Sequence, residues 1–209
     1  MPTGILLLRH GQSTWNAEGR WQGQSDPPLS DLGRSQAEEA AGKLVAADLE
    51  VTAVVTSDLA RARATGEVLA RALGLAPPGQ DRDLREYDVG DWEGLTRPEI
   101  EVGWPDQLGA WKEGRLLATP GGETRSDFLR RIMAALRRVA ASDDLGETAV
   151  VVSHGGVIRA AEQVTGADRS AVIGNLAGRW FVAGPDGDLR PGETTNLLDP
   201  HHRTAPPSP

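Results

Sequence analysis

The stretch Gly4-Ile5-Leu6-Leu7-Leu8-Arg9-His10-Gly11-Gln12-Ser13-Thr14-Trp15-Asn16 decides the fold. An apolar run of strand length ends in a cation, an imidazole and a glycine. Runs of this kind form strands buried on both faces of a parallel sheet, so Arg9 and His10 are delivered to the sheet's carboxyl edge. Open α/β sheets keep their ligands at that edge. Gly11 lets the chain turn without a Cβ, while Ser13, Thr14 and Asn16 offer hydroxyl, amide and main-chain donors beside His10. Such a pocket suits a phosphate.

Downstream, the segment from Gln12 to Pro28 is rich in Gly, Gln and Trp without a clean period, and reads as a functional loop containing Gln22 and Gly23. Ser30 carries an N-cap signal, and Leu32, Ala37, Ala40, Ala41 and Leu44 share a helical face through about Ala47. Ala53–Thr56 reads as a second buried strand. It runs into Ser57-Asp58-Leu59-Ala60-Arg61-Ala62, where Ser57 or Asp58 is expected to cap a helix reaching Leu73. Arg61 then sits in a helix's first turn, a place favourable to an anion. A short strand is expected from Asp81 to Arg85, leading into the acidic, glycine-punctuated loop Glu86-Tyr87-Asp88-Val89-Gly90-Asp91-Trp92-Glu93-Gly94.

The stretch Pro98 to Gly114 predicts short helices that cover the site, with Trp104 and Trp111 among them. A long amphipathic helix follows Thr124, burying Phe128, Ile132, Leu136 and Val139 and ending near Ser142. Thr148–Val152 is the most strand-like run in the chain and ends in Ser153-His154-Gly155-Gly156 before a helix from Val157. This repeats the strand-histidine-glycine layout of His10. Asn175 to Val182 reads as a loop feeding a further strand, Pro185 to Asp188 as a hairpin turn and Leu189 to Leu198 as an edge strand.

The expected fold is therefore α/β, a single three-layer α/β/α domain over residues 1–199 with a mostly parallel central sheet. Residues 97–122 form its substrate-covering insertion, and a disordered tail occupies 200–209. The chain has 209 residues, enough for one such core. A formal net charge of −8 argues against nucleic-acid and anionic-membrane partners, so an anionic substrate needs a local cationic pocket. Cysteine is absent, which removes disulfides, thiolate nucleophiles and cysteine zinc sites and fits a reducing cytoplasm. Ile5 to Leu8 is too short for a signal peptide or a membrane span.

Arg9-His10-Gly11 followed by Asn16, together with the segments around Arg61, Glu86 and His154, resembles the histidine phosphatase superfamily, the phosphoglycerate-mutase-like enzymes, from about Ile5 to about Val182. The resemblance implies that His10 is the nucleophile that becomes phosphohistidine, that Arg9, Arg61 and His154 hold the phosphoryl group, and that Glu86 is the proton donor. It further implies that Asn16, Gln22, Gly23, Gly155 and Asn175 line the phosphate and substrate pocket. No cofactor and no metal is expected, the partner is a small phosphomonoester, and two copies are expected to pair through a sheet edge.

Family mutases usually carry an Arg-His-Tyr-Gly run after the catalytic Glu and a His-Gly-Asn-Ser run after the last strand. Here the corresponding stretches are Tyr87-Asp88-Val89-Gly90 and His154-Gly155-Gly156-Val157. Both departures favour a phosphatase, and the expected activity is metal-independent hydrolysis of a small phosphomonoester such as a phosphoglycerate or sugar-phosphate derivative. A mutase, or a non-catalytic binding protein on the same fold, is the alternative.

Overall fold

A computed structural model describes residues 4–47, 49–184 and 186–203. Among these, six strands form one sheet: β1 (Gly4–Arg9), β2 (Ala53–Thr56), β3 (Gly79–Gln80), β4 (Thr148–Ser153), β5 (Ala177–Ala183) and β6 (Leu189–Asn196). The order is β3-β2-β4-β1-β5-β6. β3, β2, β4 and β1 run parallel, and β5 lies antiparallel to both β1 and β6. Leu6 and Leu8, with Val150 and Val152 of β4, face the helices α2 (Asp31–Ala46) and α3 (Ala60–Ala72), whose Ala40, Leu44 and Leu69 complete that side. The alternate residues Ile5 and Leu7, with Ala149 and Val151, face α6 (Arg125–Ala140) and α7 (Gly155–Thr165) through Ile132, Leu136 and Ile158. Strand side chains alternate, so one apolar run must supply both cores. The result is three layers.

Three short helices complete the chain: α1 (Thr14–Glu18), α4 (Arg97–Gly103) and α5 (Pro105–Lys112). The last two are the short helices expected near residues 98–114. No helix among the described residues is long and apolar enough to cross a membrane.

Several local expectations change. The loop after β1 contains α1, because Ser13 and Asn16 close a capping box in which each side chain bonds the other's backbone N–H. Leu32 is exposed, and the buried face of α2 runs through Gly33, Gln36, Ala37, Ala40, Ala41 and Leu44. At α3 the N-cap is Leu59, and the Asp26 carboxylate accepts the Ala60 N–H at 2.6 Å in place of a cap from Ser57 or Asp58. A side chain distant in sequence supplies that cap. The strand expected at Asp81–Arg85 is instead a 3₁₀ turn at Arg82–Leu84, and β3 lies two residues earlier. Asp81 caps that turn by accepting the Asp83 N–H, which diverts the backbone from the sheet.

The first residues of the expected tail also take a definite form. Pro200–His202 makes a 3₁₀ turn, and the His202 carbonyl accepts from Gln36 Nε2 at 2.8 Å. The remainder of that tail, 204–209, and the Pro185 position of the expected turn lie outside the described residues. A partner on α2 outweighs the turn-forming composition of Pro200 to Arg203.

Candidate active site

β1 and β4 are paired so that Arg9 stands opposite Ser153, which puts His10 and His154 side by side just beyond the carboxyl ends. The helices that follow these strands lie on opposite faces, α2 after β1 and α7 after β4. Their divergence opens a crevice at this point of the sheet edge. The imidazole centroids are 5.2 Å apart at an interplanar angle of 64°.

Both backbone and side chain of His10 are fixed. Its N–H donates to the Ser153 carbonyl at 3.0 Å, and its own carbonyl accepts from Asn175 Nδ2 at 2.8 Å. Nδ1 lies 2.6 Å from the Gly11 carbonyl, an acceptor only, so Nδ1 carries the proton and Nε2 keeps its lone pair. Burial, then Arg61 and Arg9, hold the imidazole pKa well below its ordinary value against the opposing pull of Gly11. The ring is neutral at physiological pH. Gly11 itself is explained by close approach, since a Cβ there would lie 2.5 Å from the Gly33 carbonyl at the start of α2. That replaces the expected need for a free turn.

Arg9 and Arg61 are buried on either side of this histidine. Burial lowers each guanidinium to about 10, with Glu86 opposing the shift in both, so both stay cationic at neutral pH. Arg9 donates to the Ile173 carbonyl at 3.0 Å. Arg61 spends its terminal nitrogens on the carbonyls of Ser25 and Gly23 at 2.7 and 2.9 Å, and its buried Nε has no hydrogen-bond partner among the described residues. The same holds for both ring nitrogens of His154, whose pKa is pushed well down by burial first and by Arg61 next. Buried donors left open cost roughly 1–3 kcal/mol each, which is the signature of a site awaiting an acceptor.

Glu86 approaches from the far side. Its two oxygens accept the Tyr87 N–H at 2.8 Å and the Gly156 N–H at 3.0 Å, tying it to the first turn of α7. The segment that carries it is held by Arg131 on α6, whose guanidinium donates to the carbonyls of Asp83, Arg85 and Glu86 and to both oxygens of Glu123.

A cavity of about 400 Å³ joins these groups. Arg9, His10, Asn16, Gln22, Gly23, Arg61, Glu86 and Gly155 all line it. Asn16 Oδ1 is committed to the Ser13 N–H, and Gln22 Oε1 accepts from the Ser13 hydroxyl at 2.6 Å. His154, fully buried with its ring against His10, is not among the lining residues, and Asn175 differs from expectation. It is buried behind the wall and supports the His10 carbonyl, because Leu176 takes a left-handed conformation (φ 52°) that turns the chain back onto β1.

Sequence reasoning gave no pocket role to Arg20, Trp21, Tyr87, Val89, Gly156, Arg159, Val172 or Ile173, placed Trp111 only in the covering helices, and missed Arg131, which holds the segment of Glu86. No local pattern marks Arg131, which sits among the arginines that line the outside of an amphipathic helix. No group of three or more His, Cys, Asp or Glu is placed to hold a metal ion among the described residues.

The model of the histidine phosphatase superfamily (branch 1) matches residues 5–172. Glucosyl-3-phosphoglycerate phosphatase of Mycolicibacterium vanbaalenii is 37% identical over 190 residues, covering 88% of this chain and 80% of that protein. Phosphoglycerate mutase-like protein 4 of Arabidopsis thaliana is 39% identical over 157 residues, 74% of this chain and 67% of that one. Among solved structures, the mycobacterial glucosyl-3-phosphoglycerate phosphatase complexed with VO3 superposes with a TM-score of 0.77 at 33% identity, covering 91% of this chain and 96% of that one. With paired histidines and flanking arginines at the β1–β4 edge, and a family match over most of its length, this chain belongs to the histidine phosphatase superfamily, branch 1.

Proposed function

We infer that the protein is a metal-independent phosphomonoester hydrolase working through a phosphohistidine at His10. The observation that carries this reading is the state of that ring. A neutral imidazole with Nδ1–H fixed on Gly11 offers Nε2 as a nucleophile without prior loss of a proton. Arg9, the Nε of Arg61 and the single N–H of the neutral His154 ring supply donors for the equatorial oxygens of the phosphoryl group.

In the first step the Nε2–P bond forms as the ester P–O bond breaks, and Glu86 gives its proton to the leaving alkoxide. In the second, water attacks phosphorus, Glu86 takes the water's proton and the N–P bond breaks. Asn16, Gln22, Gly23 and Gly155 flank the substrate, and the segment 97–122 contributes Trp111 to its cover.

The substrate class we favour is a small phosphorylated metabolite of the phosphoglycerate or sugar-phosphate kind, in line with the named activity of the mycobacterial relatives. The test is inorganic phosphate release from a panel of phosphomonoesters with EDTA present, for wild type beside His10→Ala. Release by wild type alone is expected. Silence across the panel, or equal release by the variant, overturns the reading.

A further inference from the structure

The cavity lining combines two unlike sets of groups, the polar Arg9, His10, Arg61 and Glu86 and the apolar or aromatic Trp21, Tyr87, Val89, Trp111, Val172 and Ile173. The aromatic members form a braced cluster. Trp111 lies 5.2 Å from Tyr87 and 6.1 Å from Trp21, centroid to centroid, with the buried Trp92 behind at 5.5 Å from Trp21 and 6.1 Å from Trp111. Tyr87 spends its hydroxyl on the Glu123 carbonyl at 2.7 Å and packs against Phe128. A wall already ordered in this way loses little entropy when a ligand lies on it.

Two further cations, Arg20 and Arg159, line the cavity, and each already pairs with a carboxylate. Arg20 donates to Glu18 at 2.8 Å and to the Gly94 carbonyl at 2.7 Å, with Glu99 at 3.5 Å. Arg159 gives its terminal nitrogens to Glu162, buried beside Arg179, and to the carbonyls of Arg169 and Ala171. A second phosphate or carboxylate placed here would give up its water to meet arginines whose charge is already shared with Glu18, Glu99 and Glu162. A flat apolar surface meets no such penalty.

We propose that this aromatic wall is a subsite for a ring with an apolar face, a sugar or aryl ring, on the alcohol portion of the phosphomonoester, with Trp111 as the specificity-determining contact. The proposal rests on the hydrolase reading above. Indole faces pair with aromatic rings and with the C–H face of a sugar, and a cavity of about 400 Å³ is in the range that holds a phosphate and one ring.

The test compares benzyl phosphate, glucose 6-phosphate, glycerol 3-phosphate and 3-phosphoglycerate. All are esters of primary alcohols, so intrinsic leaving ability is matched. At least one ring ester is expected to show kcat/KM about tenfold above both acyclic esters, and whichever does so names the ring type. Trp111→Ala should bring that ratio close to one, while Trp111→Phe keeps most of it. Equal rates for all four, or a preference for 3-phosphoglycerate, overturns the subsite.

Binding of benzylphosphonate against methylphosphonate to the wild type, measured by calorimetry, needs neither a variant nor turnover. About tenfold tighter binding of the benzyl compound is expected, and equal affinities remove an aryl subsite. Absence of phosphate release from every ester, with the benzyl preference intact, would sink the hydrolase reading and leave the subsite standing.

Discussion

The Glu86 carboxylate accepts the backbone N–H of Gly156 at 3.0 Å, and a Cβ at position 156 would overlap Glu86 Oε1. One glycine thus makes room for the carboxylate to which the proton transfer is proposed to belong, and Gly156→Ala is expected to displace Glu86 with little effect on the core. Turnover of alkyl phosphates should fall about tenfold or more, and that of nitrophenyl phosphate much less, because a good leaving group needs no acid. Steady-state rates on the two ester types check this. Equal losses on both would remove Glu86 from proton transfer.

The depressed pKa values of His10 and His154 are also statements about stability. Each imidazole takes up a proton near pH 6.5 when unfolded and well below that when folded, so the unfolded state binds more protons as pH falls. Their contribution to stability is therefore complete above about pH 6.5 and declines below it, by up to about 1.4 kcal/mol per pH unit for each. Thermal melts between pH 7.5 and 5 should show Tm falling, with a shallower slope in His10→Asn. A Tm unchanged across this window would contradict the burial assigned to the two rings.

Arg131 is expected to matter more than its surface-helix position suggests. Replacing it by Lys leaves three backbone carbonyls and Glu123 to be served by one ammonium, which lacks the planar fork. A loss of about 2 kcal/mol in urea unfolding is expected, together with a fall in kcat, since the segment carrying Glu86 loosens. A variant with wild-type kcat and midpoint would show that the segment holds itself.

Glu93 braces the opposite wall. Its carboxylate accepts the Gln24 N–H at 2.6 Å and the Ser25 hydroxyl at 2.5 Å, in the same loop whose carbonyls Arg61 grips. Glu93→Ala is expected to raise KM about fivefold with a smaller change in kcat, because loop position governs binding more than the chemical step. A kcat loss at constant KM would place its influence on His10 instead.

Much of the site was legible because each chemical group ends a strand or opens a helix. Arg9, His10, Arg61 and His154 follow short, continuous apolar runs of strand length, and strand direction alone sends them to one edge. Glu86 was reached through its resemblance to the family motif, not through its expected strand, which is a 3₁₀ turn. Asn175 went astray because an amide's role depends on which side of the wall it occupies. The left-handed turn at Leu176 decides that, and a leucine gives no local sign of such a conformation.

The sequence by itself determined the layered fold, the carboxyl-edge location of the candidate site and its two histidines, because apolar runs, the residues that end them and strand polarity are local properties of the chain. Only the tertiary structure decided the His10 tautomer, the Asp26 cap on α3, the Arg131 brace and the aromatic wall of the cavity. Each of these joins groups from different elements of the chain or depends on backbone direction, and such contacts leave no period in the sequence.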